Sequence, residues 1–135
     1  MCGIIGIASN KSVSSAIINS LRKLEYRGYD SSGIATLSEG ILNEVKSKGR
    51  VDILEKNLAV KNMSGMIGIG HVRWATHGIP NTINAHPHSS KSVSVVHNGI
   101  IENSTILKKY LINKGHVFKS QTDTEVIVHL ITEYL

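Results

Sequence analysis

The only cysteine of the chain stands at position 2, directly behind Met1, and the stretch it belongs to, Met1-Cys2-Gly3-Ile4-Ile5-Gly6-Ile7, constrains the fold more than any other. Ile4, Ile5 and Ile7 read as a buried strand, and the two glycines leave room for backbone or a ligand to come close. Removal of Met1 makes Cys2 the N-terminus. One Cα then carries a thiol and a free α-amino group, a nucleophile with its own proton acceptor. The unperturbed pKa values are about 8.5 for a thiol and about 7.7–8.0 for an α-amine, so modest environmental shifts make both useful near neutral pH. The plainer reading, a small apolar residue opening a first strand, is the commoner one for a free cysteine.

After this strand, Val13, Ala16, Ile17, Leu21 and Leu24 recur at helical spacing and predict a helix from about Ser12, its candidate N-cap, to Arg27, with Gly28 just past its end. Two β-type runs, Gly33 to Leu37 and Ile41 to Val45, flank the turn pair Glu39-Gly40 and predict a hairpin. Val51, Ile53, Leu54 and Leu58 suggest a second, shorter helix, and Gly65 to Arg73 reads as a central strand whose glycines mark close approach. From Trp74 to Ser92 the chain is polar and holds both prolines. A loop that long inside a compact domain is commonly functional. A strand is expected at Val93 to His97, then a helix capped by Asn103 or Ser104, carrying Ile106, Leu107, Leu111 and Ile112, and ended by Gly115. His116 to Lys119 reads as a short strand, and Thr122-Asp123-Thr124-Glu125 as the capping box of a last helix bearing Val126, Ile127, Leu130 and Ile131. The alternation argues for mixed α/β layers in one domain or part of one.

At 135 residues the core is modest, and one cysteine excludes an internal disulfide framework. No apolar run approaches the roughly 18 residues of a membrane span, and no signal peptide is evident, so a cytoplasmic protein without membrane contact is expected. The net charge of +5 invites a nucleic-acid reading. Lys and Arg are scattered, however, and aromatics make up only 4% of the chain, too few for base-stacking platforms, so no nucleic-acid partner is expected.

Four constellations carry chemistry. His77, His86, His88 and His97 gather around one loop, but without Cys-x-x-Cys, His-Glu-x-x-His or a carboxylate partner, so neither a metal nor any other cofactor is expected. In His71-Val72-Arg73-Trp74-Ala75-Thr76-His77-Gly78 a strand ends in a cation, an indole and a hydroxyl, and the planar fork of Arg73 suits a carboxylate better than lysine does. Asn98-Gly99 signals a type I′ hairpin turn, and the Asn98 side-chain amide and the Gly99 N–H together suit an oxyanion hole. Asp123, at a helix start, is on its own a capping acid.

These residues, with Arg27-Gly28-Tyr29-Asp30-Ser31-Ser32-Gly33, Asn84-Ala85-His86-Pro87-His88 and His97-Asn98-Gly99-Ile100-Ile101-Glu102-Asn103, resemble the glutaminase domains of the glutamine:fructose-6-phosphate aminotransferase family, from end to end of the chain. Met-Cys-Gly-Ile alone would fit any class II glutamine amidotransferase. The resemblance implies an N-terminal nucleophile (Ntn) hydrolase fold, an α+β four-layer α/β/β/α sandwich with two antiparallel sheets. It implies that Cys2 attacks the side-chain amide of L-glutamine with help from its own amine, and that Asn98 and Gly99 hold the oxyanion. Arg73 would bind the glutamine carboxylate and Asp123 its ammonium, with Trp74, Thr76 and His77 shaping the pocket. Ammonia so released would aminate fructose 6-phosphate to glucosamine 6-phosphate in the full enzyme.

Family domains run well beyond Leu135, and the sugar isomerase portion that accepts the ammonia is absent. Residues 1–135 are therefore expected to be the N-terminal part of a C-terminally incomplete amidotransferase domain, unable to make the amino sugar alone. The strands are too few for two complete sheets, so an open sheet edge, exposed apolar helix faces and marginal stability are expected. A homo-oligomer is allowed. Two other readings stay open: an inactive glutamine-binding remnant, and a Cys/His hydrolase with an imidazole base.

Overall fold

Successive side chains of a strand point to opposite faces of its sheet, so the strand register decides which residues meet the core and which are free for a site. The computed structural model describes residues 1–59, 61 and 63–135. Its elements are β1 (Gly3–Ala8), α1 (Ser14–Leu24) with a 3-10 turn at Glu25–Arg27, β2 (Ser31–Ser38), β3 (Ile41–Lys48), α2 (Val51–Leu58), β4 (Ile67–Arg73), β5 (His88–Ser89), β6 (Ser94–Val95), α3 (Ser104–Asn113) and α4 (Glu125–Tyr134). The first four strands form an antiparallel sheet in the order β1-β4-β2-β3, and β5 and β6 form a second, two-stranded one.

On β4, Gly68, Gly70 and Val72 face α1. A Cβ added at Gly70 would stand 2.6 Å from Ile17, and one at Gly68 2.7 Å from it, so the missing side chains let the helix lie directly on the sheet. Ile17 and Leu21 are fully enclosed there and join Val13, Ile18, Ile34, Val45, Val51, Leu54, Met63 and Val72 in the main core. Each fully buried aliphatic side chain of this kind contributes about 1.5–3 kcal/mol. The alternate residues of β4, His71 and Arg73, point to the other face. There β2 comes close to the loop before β5, and Gly33 lies against the His86 carbonyl. The small sheet and α4 pack beyond that loop, with α3 against α4. The resulting order is helices, sheet, sheet, helices, the four layers expected.

The hairpin, α2 and β4 form as the sequence predicts. Glu39 and Gly40, with φ of 51° and 77°, give the two left-handed residues that a two-residue hairpin requires. Gly115, with φ of 93°, ends α3, and the His116 N–H bonds the Leu111 carbonyl at 3.0 Å. That bond completes the helix terminus, and no strand forms at His116 to Lys119. Other expectations also need correction. Helix α1 starts at Ser14 with Val13 as N-cap, because the Val13 N–H is bound by the Gly65 carbonyl and the Ser14 hydroxyl by the Met63 carbonyl, so Ser12 caps nothing. Gly28 is extended, not left-handed. The strand expected at Val93 to His97 shrinks to Ser94–Val95. Asn98-Gly99 is not a type I′ turn, since among the described residues only Glu39 is a non-glycine with positive φ. The capping box fails because Glu125 is drawn to the N–H groups of Lys119 and Ser120, at 2.8 and 2.7 Å. The expected open edge and exposed apolar faces are present: the second sheet has two residues per strand, and Ile106 and Ile112 on α3 are 70% and 49% exposed.

Gly33 and Gly40 separate two causes of glycine's necessity. A Cβ at Gly33 would sit 2.0 Å from a backbone oxygen, whereas at Gly40 it meets nothing within 4 Å. Gly40→Ala should therefore lose only the conformational term of about 1 kcal/mol, and Gly33→Ala about 1–3 kcal/mol or more in urea unfolding. Equal midpoints for the two variants would contradict the packing of β2 on the His86 segment.

Candidate active site

The register that pairs Gly3 with Val72 brings Cys2 beside the end of β4. Its Sγ lies 3.4 Å from the Trp74 carbonyl and accepts the Trp74 N–H at 3.2 Å, the donor of the Arg73–Trp74 peptide unit. Gly28 covers that unit from the other side. A Cβ there would be 2.6 Å from the Arg73 carbonyl carbon and 2.7 Å from the Trp74 nitrogen, which only glycine avoids. On either side of Gly28, the Arg27 Nε donates to the Cys2 carbonyl at 3.1 Å, and the Asp30 carboxylate accepts the Ala75 N–H. The Cys2 carbonyl also receives the Asn98 Nδ2 at 3.0 Å.

Arg73 is buried, and its guanidinium donates to the Ile79 carbonyl at 3.3 Å, the Gly78 carbonyl at 3.1 Å and the His77 carbonyl. Burial lowers its pKa, opposed chiefly by the Asp30 charge. Asn84 braces the same loop. Its Nδ2 donates to the Ile79 carbonyl and to the Gln121 side chain, both at 2.9 Å, and its Oδ1 accepts the Gln121 N–H at 2.8 Å. Two residues beyond Gln121, Asp123 accepts the Ile101 N–H at 2.6 Å and lies 3.9 Å from His77 Nδ1. Cys2, Arg73, Trp74, Thr76, His77, Asn98, Gly99 and Asp123 all line one cavity of about 480 Å³. All eight residues singled out in the sequence thus meet around a single space.

Residues 55–134 match the model of a glutamine amidotransferase domain. The chain belongs to that family. This amidotransferase chain is 51% identical over its full length to a glutamine--fructose-6-phosphate aminotransferase [isomerizing] of Mesorhizobium japonicum, and 56% identical to the protein of that name from Pyrococcus horikoshii. It spans 22% and 23% of those two relatives. Among solved structures, the glutamine phosphoribosylpyrophosphate amidotransferase of B. subtilis superposes with a TM-score of 0.81 at 30% identity, over 98% of this chain and 29% of the other. A second, titled as the allosteric regulatory enzyme of purine biosynthesis, gives 0.82 at 31% identity over the same shares. The fold is the Ntn hydrolase arrangement.

The sequence motifs held several contributors to this candidate site without a role for them there: Arg27, Gly28, Asp30, Asn84 and His71. Their work is on backbone atoms, which no side-chain pattern announces. Gln121 lay outside every motif. Among the described residues no group of His, Cys, Asp and Glu is arranged to hold a metal ion. The histidines behave differently. His71 stacks on His86 at 4.1 Å, His86 meets His88 edge-on at 4.7 Å, and His88 Nε2 bonds the Thr122 hydroxyl at 2.8 Å. Burial keeps this stack neutral, pushing His71 to about 4 and His88 to about 3, and His86 lower still.

Unfolded histidines take up protons below about pH 6.5, while the buried ones do not until about pH 4 or below. Across that window the unfolded chain binds more protons, so stability is complete above about pH 6.5 and is lost as pH falls, by up to about 1.4 kcal/mol per pH unit per histidine. The Tm should therefore drop between pH 6.5 and 4.5, where carboxylates contribute only toward the acid end, and His88→Gln should flatten the drop. A level Tm over that interval would rule out a neutral stack.

Proposed function

We propose that this chain hydrolyses the side-chain amide of glutamine through a thioester on Cys2. The reading rests on one observation above the others: the Cys2 thiol seated on the Trp74 backbone, the Asn98 amide on the Cys2 carbonyl, and Arg73 and Asp123 share one cavity. Removal of Met1, which lines that cavity, frees the Cys2 amine. The amine takes the thiol proton, and the thiolate adds to the amide carbon. Asn98 Nδ2 and the Gly99 N–H stabilise the resulting oxyanion. Collapse breaks the C–N bond, the leaving nitrogen takes the proton back from the Cys2 ammonium, and ammonia departs. Water then cleaves the thioester to glutamate and restores the thiol.

Arg73 receives the glutamine α-carboxylate. Three loop carbonyls occupy three of its donors, which leaves two of the five N–H groups of a guanidinium. Asp123 takes the ammonium, and Trp74, Thr76 and His77 close the sides. An imidazole base is less well supported, because the partners of Sγ among the described residues are both backbone groups of Trp74. In the longer proteins it resembles, such a domain precedes the portion that consumes the ammonia. We assign the same role to this chain, as the N-terminal part of a glutaminase domain that supplies ammonia for the amination of fructose 6-phosphate by a sugar isomerase portion. A single unpaired thiol suits a reducing cytoplasm.

Cys2→Ala should abolish ammonia release while leaving glutamine affinity, by isothermal titration, within a few fold. Turnover near wild type would end the assignment. Asn98→Ala should lower kcat by about 10²–10³ with little change in KM. An effect on KM alone would make Asn98 a binding residue. Intact mass should show that active protein lacks Met1 and gains one adduct from a glutamine-mimicking electrophile.

A further inference from the structure

His71 takes no chemical step in that scheme, yet it is wholly enclosed on β4. Its Nε2 stands 3.3 Å from the carbonyl oxygen of His97. A carbonyl only accepts, so Nε2 carries the ring proton, and Nδ1 is left as a bare acceptor without a partner among the described residues. Burial lowers the pKa of the ring, opposed by hydrogen bonding to the His97 carbonyl and the Asn98 side chain. Asn98 follows that carbonyl directly in the chain, and its Nδ2 donates to the Cys2 carbonyl at 3.0 Å. That bond fixes the amide's orientation, since the opposite one would set oxygen against oxygen at Cys2. Stacking on His86, with 14° between the ring planes, keeps the imidazole from turning.

We propose that His71 is the positioning residue for the oxyanion donors, its Nε2–H tying down the His97 carbonyl and with it the peptide that leads into Asn98 and Gly99. This rests on the reading of Asn98 as an oxyanion donor. The next residue packs on the same segment: a Cβ at Gly99 would lie 3.0 Å from the His97 ring, whose Nδ1 stands 3.2 Å from the Thr124 hydroxyl. Simple core filling is the competing role, and it makes a different demand. Phenylalanine would fill the space and keep the stacking on His86, whereas the positioning role needs a proton at Nε2.

The test compares His71→Phe and His71→Gln in the 135-residue chain. His71→Phe should lower kcat for glutamine hydrolysis by about 10–100-fold with KM within about threefold, part of the loss expected for an oxyanion donor itself. His71→Gln, which restores an N–H donor, should recover kcat to within about threefold. Wild-type kcat in His71→Phe, or a loss confined to KM, overturns the proposal. Nitrogen-15 NMR supplies an arm independent of turnover. The wild-type His71 ring should be the Nε2–H tautomer, and the two Asn98 amide protons should be resolved, averaged in His71→Phe and resolved again in His71→Gln. An Nδ1–H tautomer, or an Asn98 amide unaltered by His71→Phe, overturns the proposal, and the tautomer decides even where His71→Phe does not fold. Absence of turnover in the wild-type chain sinks the glutaminase assignment alone, since the NMR arm still reports on His71 and Asn98.

Discussion

The antiparallel pairing of β1 with β4 is the constraint on which the site depends. Gly3 opposite Val72 places Cys2 one step beyond the ladder, where the Trp74 peptide can hold its sulfur. A slip of one residue would exchange the faces of β4 and turn His71 and Arg73 toward α1, where Ile17 and Leu21 leave no room for a cation. The glycines on the α1 side make the register one-sided. Gly68 and Gly70 allow the helix so close, and that closeness commits the neighbouring odd-numbered residues to the opposite face, from which Arg73 lines the cavity. Core packing on one face thus specifies chemistry on the other.

The polar groups on the site face are nearly all engaged by backbone. Arg73 holds three loop carbonyls, Asp123 an N–H, and Asn98 the Cys2 carbonyl. An unpaired buried polar group costs about 1–3 kcal/mol, more when charged, so these partners keep the cavity walls from destabilising the fold. They also hold the walls in place. Under the glutaminase reading, a ligand would add hydrogen bonds to a preset frame, with less ordering to oppose its binding.

Much of this was legible in advance, and the failures share a cause. Glu39-Gly40, Gly115, the helical stripe of α1 and the glycines of β4 act locally or through one packed face, and local pattern reveals such roles. Asn98-Gly99 looked like a hairpin turn because that dipeptide fits one. Here Asn98 is held by the Cys2 carbonyl, a contact 96 residues away along the chain that no local signal contains. Thr122 to Glu125 matched a capping box, but the Glu125 side chain found two N–H donors in Lys119 and Ser120. The site residues were found as types and as motifs. The groups that brace them, Asn84, Gln121 and Asp30, were not, since their function is to satisfy backbone atoms whose positions only the folded chain defines.

Glu125 shows how far such bracing extends. Burial raises its pKa, but hydrogen bonds from the Ser120 hydroxyl and from the N–H groups of Lys119 and Ser120 more than offset that and lower it. A carboxylate kept ionised in this way closes the turn that delivers Asp123 to the cavity. Arg73 comes from the four-stranded sheet and Asp123 from the leader of α4, so the two charges belong to different layers. The Asn84–Gln121 pair and the His88–Thr122 bond tie that leader to the loop after β4 and to β5, and the stack of His88, His86 and His71 continues to β4. The spacing of the charges is therefore a property of the layer interface. It survives only while the interface stays polar, neutral at the histidines and anionic at Glu125, which is why the buried imidazoles and the Glu125 carboxylate belong to the same device as the residues facing the cavity.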